Sequence, residues 1–89
     1  MKYHLHKIIN FDPGDTIKIE LKGSAIVSFM DDENYERYIG DFEYDFFGKE
    51  ISESPFVMAP PSEGRWHLVI EQTDIPKEME VHVQIMSDL

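Results

Sequence analysis

The sequence predicts an all-β fold: a small β-sandwich of about seven short antiparallel strands, with one short helix near residues 32–39. Three observations predict it. Oily side chains recur at every second position in several short runs, as in Thr16-Ile17-Lys18-Ile19-Glu20-Leu21-Lys22. Turn residues punctuate the chain about every ten positions. No long stretch carries the 3.6-residue rhythm that a helical bundle requires. The 89 residues are expected to form a single domain, 1–89. A chain of this length should bury about 64% of its unfolded surface, enough for one core but not for a deep cavity as well.

The elements follow in order. Residues 2–9 form the first strand, with His4 and His6 on one face and Tyr3 and Leu5 on the other. Asp12-Pro13-Gly14-Asp15 is a turn: proline presets one corner and glycine tolerates positive φ at the next. In the strand that follows, Ile17, Ile19 and Leu21 face inward. After Gly23-Ser24, residues Ala25 to Met30 are apolar on both faces, which predicts a central strand covered on each side. Asp31-Asp32 caps the helix and Gly40 stops it. Between them Tyr35, Tyr38 and Ile39 share a face, and Glu33 can pair with Arg37.

Phe42-Glu43-Tyr44-Asp45-Phe46 alternates again, predicting a strand that ends at Gly48. Residues 49–59 predict a weaker strand, placed at an edge or bulge by Pro55. Pro60 to Gly64 is a loop. In Arg65 to Glu71, Trp66, Leu68 and Ile70 face in while His67, Val69 and Glu71 face out. Gln72 to Glu78 is a second loop. Met79 to Met86 closes the domain with Val81, Val83 and Ile85 inward, and residues 87–89 form a frayed end.

Charge narrows the partners. Eighteen acids against eight bases give −10, a field that repels phosphate backbones and anionic bilayers. Nucleic acid and membrane are therefore not expected partners, whereas a basic protein or a small neutral or cationic ligand is. Solubility alone also accounts for an acidic surface. There is no cysteine, hence no disulfide and no thiolate chemistry, which fits a cytoplasmic location. Met1-Lys2-Tyr3-His4-Leu5-His6-Lys7 lacks the apolar segment of a secretory signal, and no apolar run is long enough to span a bilayer.

Four groups of residues invite a functional reading. His4 and His6 project from one strand face, and with His67 and His82 they could converge as metal ligands; four ordinary surface histidines are the plainer account. Asp31, Asp32, Glu33, Glu36, Asp41, Glu43, Asp45, Glu50 and Glu53 hold half of the acids but match no calcium-loop spacing. Tyr35, Tyr38, Phe42, Tyr44, Phe46 and Phe47 are six of the eleven aromatics. With carboxylates between them, such rings can stack on a sugar or a quaternary ammonium group, or else simply fill the core. Trp66 is a core anchor whose indole N–H needs an acceptor, and Arg65 beside it can pair with a carboxylate. No serine sits in a nucleophile-elbow pattern, and no cofactor motif appears.

One ordered set of short motifs carries a resemblance. It runs Pro13-Gly14-Asp15, Gly23-Ser24, Phe29-Met30-Asp31-Asp32-Glu33-Asn34-Tyr35, Tyr38, Tyr44, Phe47-Gly48, Ser54-Pro55, Pro60 or Pro61, and Gly64-Arg65-Trp66-His67-Leu68-Val69-Ile70. Across nearly the whole chain this resembles a bacterial family known as domain of unknown function 1883. The resemblance implies a compact β-sandwich-like module, found alone or beside a TIR-like domain. It implies no catalytic residues, because no activity is established for the family. Lys49 stands where a second glycine often follows the one matching Gly48.

Together these point to a non-catalytic bacterial binding or sensing module acting through Tyr35, Tyr38, Phe42, Tyr44, Asp45 and Phe46. The alternatives are a metal-dependent hydrolase built on the four histidines and a structural subunit that self-associates through a sheet edge. The oligomeric state is left open.

Overall fold

The computed structural model describes residues 4–73 and 81–87. Among these, seven strands form two antiparallel sheets, with one helix. The strands are β1 (Leu5–Phe11), β2 (Thr16–Leu21), β3 (Ala25–Met30), β4 (Phe47–Ile51), β5 (Phe56–Met58), β6 (Gly64–Gln72) and β7 (Val81–Met86). The helix α1 (Asp32–Ile39) lies between β3 and β4. One sheet has the order β1-β6-β3-β4 and the other β5-β2-β7.

The chain crosses between sheets at its turns. At Asp12–Asp15, the Asp15 N–H donates to the Asp12 carbonyl at 3.1 Å, and the Asp15 carboxylate accepts from the Asp12 N–H at 2.9 Å. Gly14 takes the positive φ of 84° that this corner needs. Between the sheets, Ile9, Phe11, Ile17, Ile19, Ala25, Val27, Phe29, Ile51, Leu68 and Ile70 form the main core. Leu21, Trp66, Val81 and Val83 pack against it half-buried. Register explains the alternation: Val27 lies opposite Ile70 and Phe29 opposite Leu68, so inward residues of neighbouring strands stack on one face.

A second, smaller core lies on the outer face of the larger sheet. There α1 covers β3 and β6 and buries Met30, Tyr38 and Val69, with Tyr35 and Tyr44 packed against them. This is why Ala25 to Met30 is apolar on both faces. It also corrects the outward assignment of His67 and Val69: their side of β6 faces the helix, and they are 5% and 1% exposed.

Other expectations change. Phe42 to Phe46 is not a strand, and β4 starts at Phe47 and runs through Gly48 instead of ending there. The cause is local: the Phe42 N–H donates to the Arg37 carbonyl and the Asp45 N–H to Asn34 Oδ1, so neither joins a ladder. Residues 49–59 split into the end of β4 and the separate β5, with a cis Ser54–Pro55 peptide between. Gly40 ends the helix at φ −88°, and Asp41 takes the left-handed conformation at φ 60°. Ile85, expected inward, is 50% exposed because its strand β7 is a sheet edge, paired among the described residues with β2 alone. The first strand begins at Leu5 and reaches Phe11. Gln72 belongs to β6, and the expectations for Tyr3, residues 74–80 and the last two residues lie outside the described residues.

Candidate binding face and the histidine pair behind it

Helix α1 is placed by its first turn. Asp31 caps it, accepting from the Asn34 N–H at 2.8 Å, which satisfies one of the free amide donors at the helix start. Asp32, the first helical residue, does different work: its Oδ1 accepts from Arg65 Nε at 3.2 Å and from His67 Nε2 at 2.6 Å. Both donors come from β6, so one carboxylate oxygen pins the helix start to the sheet. The His67 hydrogen bond, with further help from the Arg65 guanidinium, holds the Asp32 carboxyl below its usual range. Nearly two turns on, the buried Tyr38 hydroxyl donates to Glu71 Oε2 at 3.1 Å. Burial, reinforced by the Glu71 charge, pushes the Tyr38 phenol far above its ordinary range.

His6 of β1 completes the attachment. Its Nε2 lies 2.7 Å from His67 Nδ1. The ring centroids are 5.0 Å apart and the planes differ by 8°. That N···N distance plus the two ring half-widths accounts for the whole separation, so the imidazoles lie edge to edge in one plane, not one over the other. Tyr35 lies flat across both, with centroids at 3.9 Å from His6 and 4.6 Å from His67. Chemistry fixes the protons. An ionised Asp32 only accepts, so His67 Nε2 carries hydrogen. A neutral His67 then presents a lone pair at Nδ1, and His6 Nε2–H donates to it. Burial, with smaller effects from His67 and His4, lowers the His6 pKa. His4 Nε2 meets the Tyr35 hydroxyl at 3.2 Å.

The four histidines therefore do not form one cluster. His4, His6 and His67 gather under α1, whereas His82 lies on β7 opposite Glu20, in the other sheet. His6 and His67 spend ring nitrogens on each other and on Asp32. Among the described residues, no group of three or more His, Cys, Asp or Glu is placed to hold a metal ion.

The face beyond the helix has a different character. After α1 the chain doubles back over residues 41–46, fixed by Phe42 N–H to Arg37 O at 2.9 Å and Asp45 N–H to Asn34 Oδ1 at 2.8 Å. Tyr44 packs edge-on against Tyr38 at 5.1 Å, and Phe46 leans on Tyr44 at 5.7 Å. Gly48 is needed beneath Phe46: a Cβ there would stand 2.5 Å from the Val27 carbonyl and 3.0 Å from the Phe46 ring. Phe42, Phe46 and Phe47 remain 68%, 46% and 59% exposed. Phe47 meets Trp66 edge-on at 6.1 Å, and the Trp66 indole N–H donates to the Ser62 carbonyl at 3.0 Å.

An open groove of about 630 Å³ is lined by Glu33, Asn34, Arg37, Glu43, Tyr44 and Asp45, and an adjoining one by Glu33, Glu36, Arg37 and Phe42. Glu33 and Arg37 form the expected pair at 3.2 Å. Of the residues singled out in the sequence, Phe42, Asp45 and Phe46 are exposed, Tyr35 and Tyr44 are half-buried, and Tyr38 is a support for the others. Glu33 and Glu43 of the acidic group join them in the groove wall with Asn34 and Arg37, whereas Phe47 lies on the inner face of the sheet, opposite Phe29 and against Trp66. The i, i+4 spacing of Glu33 and Arg37 and the run of acids through Glu43 and Asp45 were the sequence signals for that groove wall.

Comparison with known proteins adds one relationship. A family model described as domain of unknown function (DUF1883) matches residues 1–88. No curated protein and no solved structure matches the chain.

Proposed function

We propose that this chain, which belongs to the DUF1883 family, is a non-catalytic module that docks a basic segment of a partner protein on α1 and residues 41–46. The carrying observation is the exposure of Phe42 and Phe46, the first lining a groove with Glu33, Glu36 and Arg37 and the second leaning on Tyr44 of the adjoining groove. Isolated apolar residues on a surface need no explanation, but exposed aromatic rings bordering adjoining polar grooves mark an interaction site. Charge selects the partner. Residues 31–53 carry nine acids (31, 32, 33, 36, 41, 43, 45, 50 and 53) against two bases, Arg37 and Lys49. A second copy of this chain would bring the same excess of negative charge, so self-association through this face is disfavoured. An arginine-bearing segment suits it: a guanidinium can lie on a phenyl face while pairing with Glu43 or Asp45.

The test is calorimetric titration with a short peptide alternating arginine and leucine, with a glutamate–leucine peptide as control. Re-covering a half-exposed ring contributes about 1–2 kcal/mol, so each of Phe42→Ala and Phe46→Ala should weaken binding roughly five- to thirty-fold. Raising salt should weaken it further. Unchanged affinity in both variants would place the site elsewhere.

A further inference from the structure

The contact between His6 and His67 has a property that neither histidine has alone. It is a single N–H···N bond in a shared plane, at 2.7 Å. Such a bond needs one donor and one acceptor, and the far nitrogen of His67 is committed to Asp32 at 2.6 Å. One added proton is accommodated: His6 becomes an imidazolium and still donates through Nε2 to the His67 lone pair. A second proton has only His67 Nδ1 left to occupy. Two N–H groups then face each other across a distance at which one must be an acceptor, and two cations adjoin. We propose that this pair is a proton-limited latch, which holds α1 to the larger sheet with one added charge and releases it with two.

The surroundings sharpen this. From α1 come the Asp32 carboxylate and the hydroxyls of Tyr35 and Tyr38; from β6, Arg65 and Glu71; from β1, His4. β3 contributes Met30, which lies opposite His67, and no charge. Asp32 is already shared with Arg65, so its negative charge is only partly available to a second imidazolium. Glu71 is engaged by the Tyr38 hydroxyl, and His4, with its ring centroid 6.4 Å from that of His6, adds repulsion once protonated. Tyr35 lies flat over the junction, so pushing the two rings apart also breaks the stacking that seats the helix. Burial, followed by repulsion from His67 and then His4, lowers the His6 pKa, the direction expected where imidazolium charges would crowd one another.

This inference stands apart from the docking proposal, because its readout is the helix itself. The experiment is a pair of titrations from about pH 7.5 to about pH 5, above the range where carboxylates take up protons. In the native protein, imidazole nitrogen resonances should show the pair taking up one proton with α1 intact, and the second uptake should coincide with loss of helical carbon shifts in residues 32–39. His6→Gln provides the variant. Its amide can donate to a neutral His67 or, turned over, accept from a protonated one, and it never takes a proton itself. The fall in melting temperature across the same pH range should be at least halved in His6→Gln relative to native. His82→Gln, in the opposite sheet, should leave the fall unchanged. Independent titration of His6 and His67 with unchanged helix shifts would overturn the proposal. An equal fall in native and His6→Gln would overturn it too. If His6→Gln does not fold, the native resonance titration still decides.

Discussion

Tyr38 offers the most exacting check on the role of α1. It is 1% exposed, its ring fills the space over Met30 and Val69, and its hydroxyl donates to Glu71. Two substitutions separate these contributions. Tyr38→Phe removes only the hydrogen bond. The acceptor is charged but lies near solvent that can replace the donor, so the loss is about 1 kcal/mol. Tyr38→Ala removes the ring as well and leaves a cavity, a loss of about 3–5 kcal/mol. A domain of this size shifts by about 4–8 °C per kcal/mol, so Tyr38→Phe should melt about 4–8 °C lower and Tyr38→Ala more than about 12 °C lower. Phe42→Ala is the control, since that ring is 68% exposed and its loss should stay within about 0.5 kcal/mol. The phenol supplies a sign as well. Its pKa is raised in the fold, so its contribution is complete below about pH 10 and declines as pH rises beyond it. Tyr38→Phe should flatten part of that alkaline decline. Thermal melts followed by circular dichroism read all of this. A Tyr38→Ala loss no larger than that of Phe42→Ala would refute a second core under the helix.

Two more outcomes follow from local geometry. Gly48→Ala puts a methyl group 2.5 Å from the Val27 carbonyl and 2.9 Å from Ser28 Oγ, so β3 and β4 must separate; about 1–3 kcal/mol should be lost by chemical denaturation. Asp31→Ala removes the helix cap and should cost about 1 kcal/mol, with Asp31→Asn restoring most of it.

Much of the architecture is legible in single residues. The alternation of Ile17, Ile19 and Leu21 dictates a one-sided strand, and the unbroken apolar run at Ala25 to Met30 announces a strand covered twice. Asp31, the Glu33–Arg37 spacing and Tyr38 place the helix. The failures share a cause. Phe42 to Phe46 has the two-residue rhythm of a strand, but rhythm does not say where the backbone N–H groups go. They go to Arg37 and Asn34, partners set by the helix turning back on itself. His67 obeys the rhythm too, yet alternation assigns only a side, not what covers that side. The run His67-Leu68-Val69-Ile70, buried throughout, carries the same double-cover signal as Ala25 to Met30 and was hidden by a polar histidine at its start. The His6–His67 contact joins residues 61 apart in sequence, beyond the reach of local pattern.

The docking face rests on its exposed rings and their acidic neighbours, and amide-shift mapping by NMR tests it most directly. On addition of the arginine–leucine peptide, the largest changes are expected at Glu33, Arg37 and residues 42–46, with β5, β2 and β7 quiet. Changes centred on those three strands instead, or none at millimolar peptide, would contradict the assignment of this surface as the binding site.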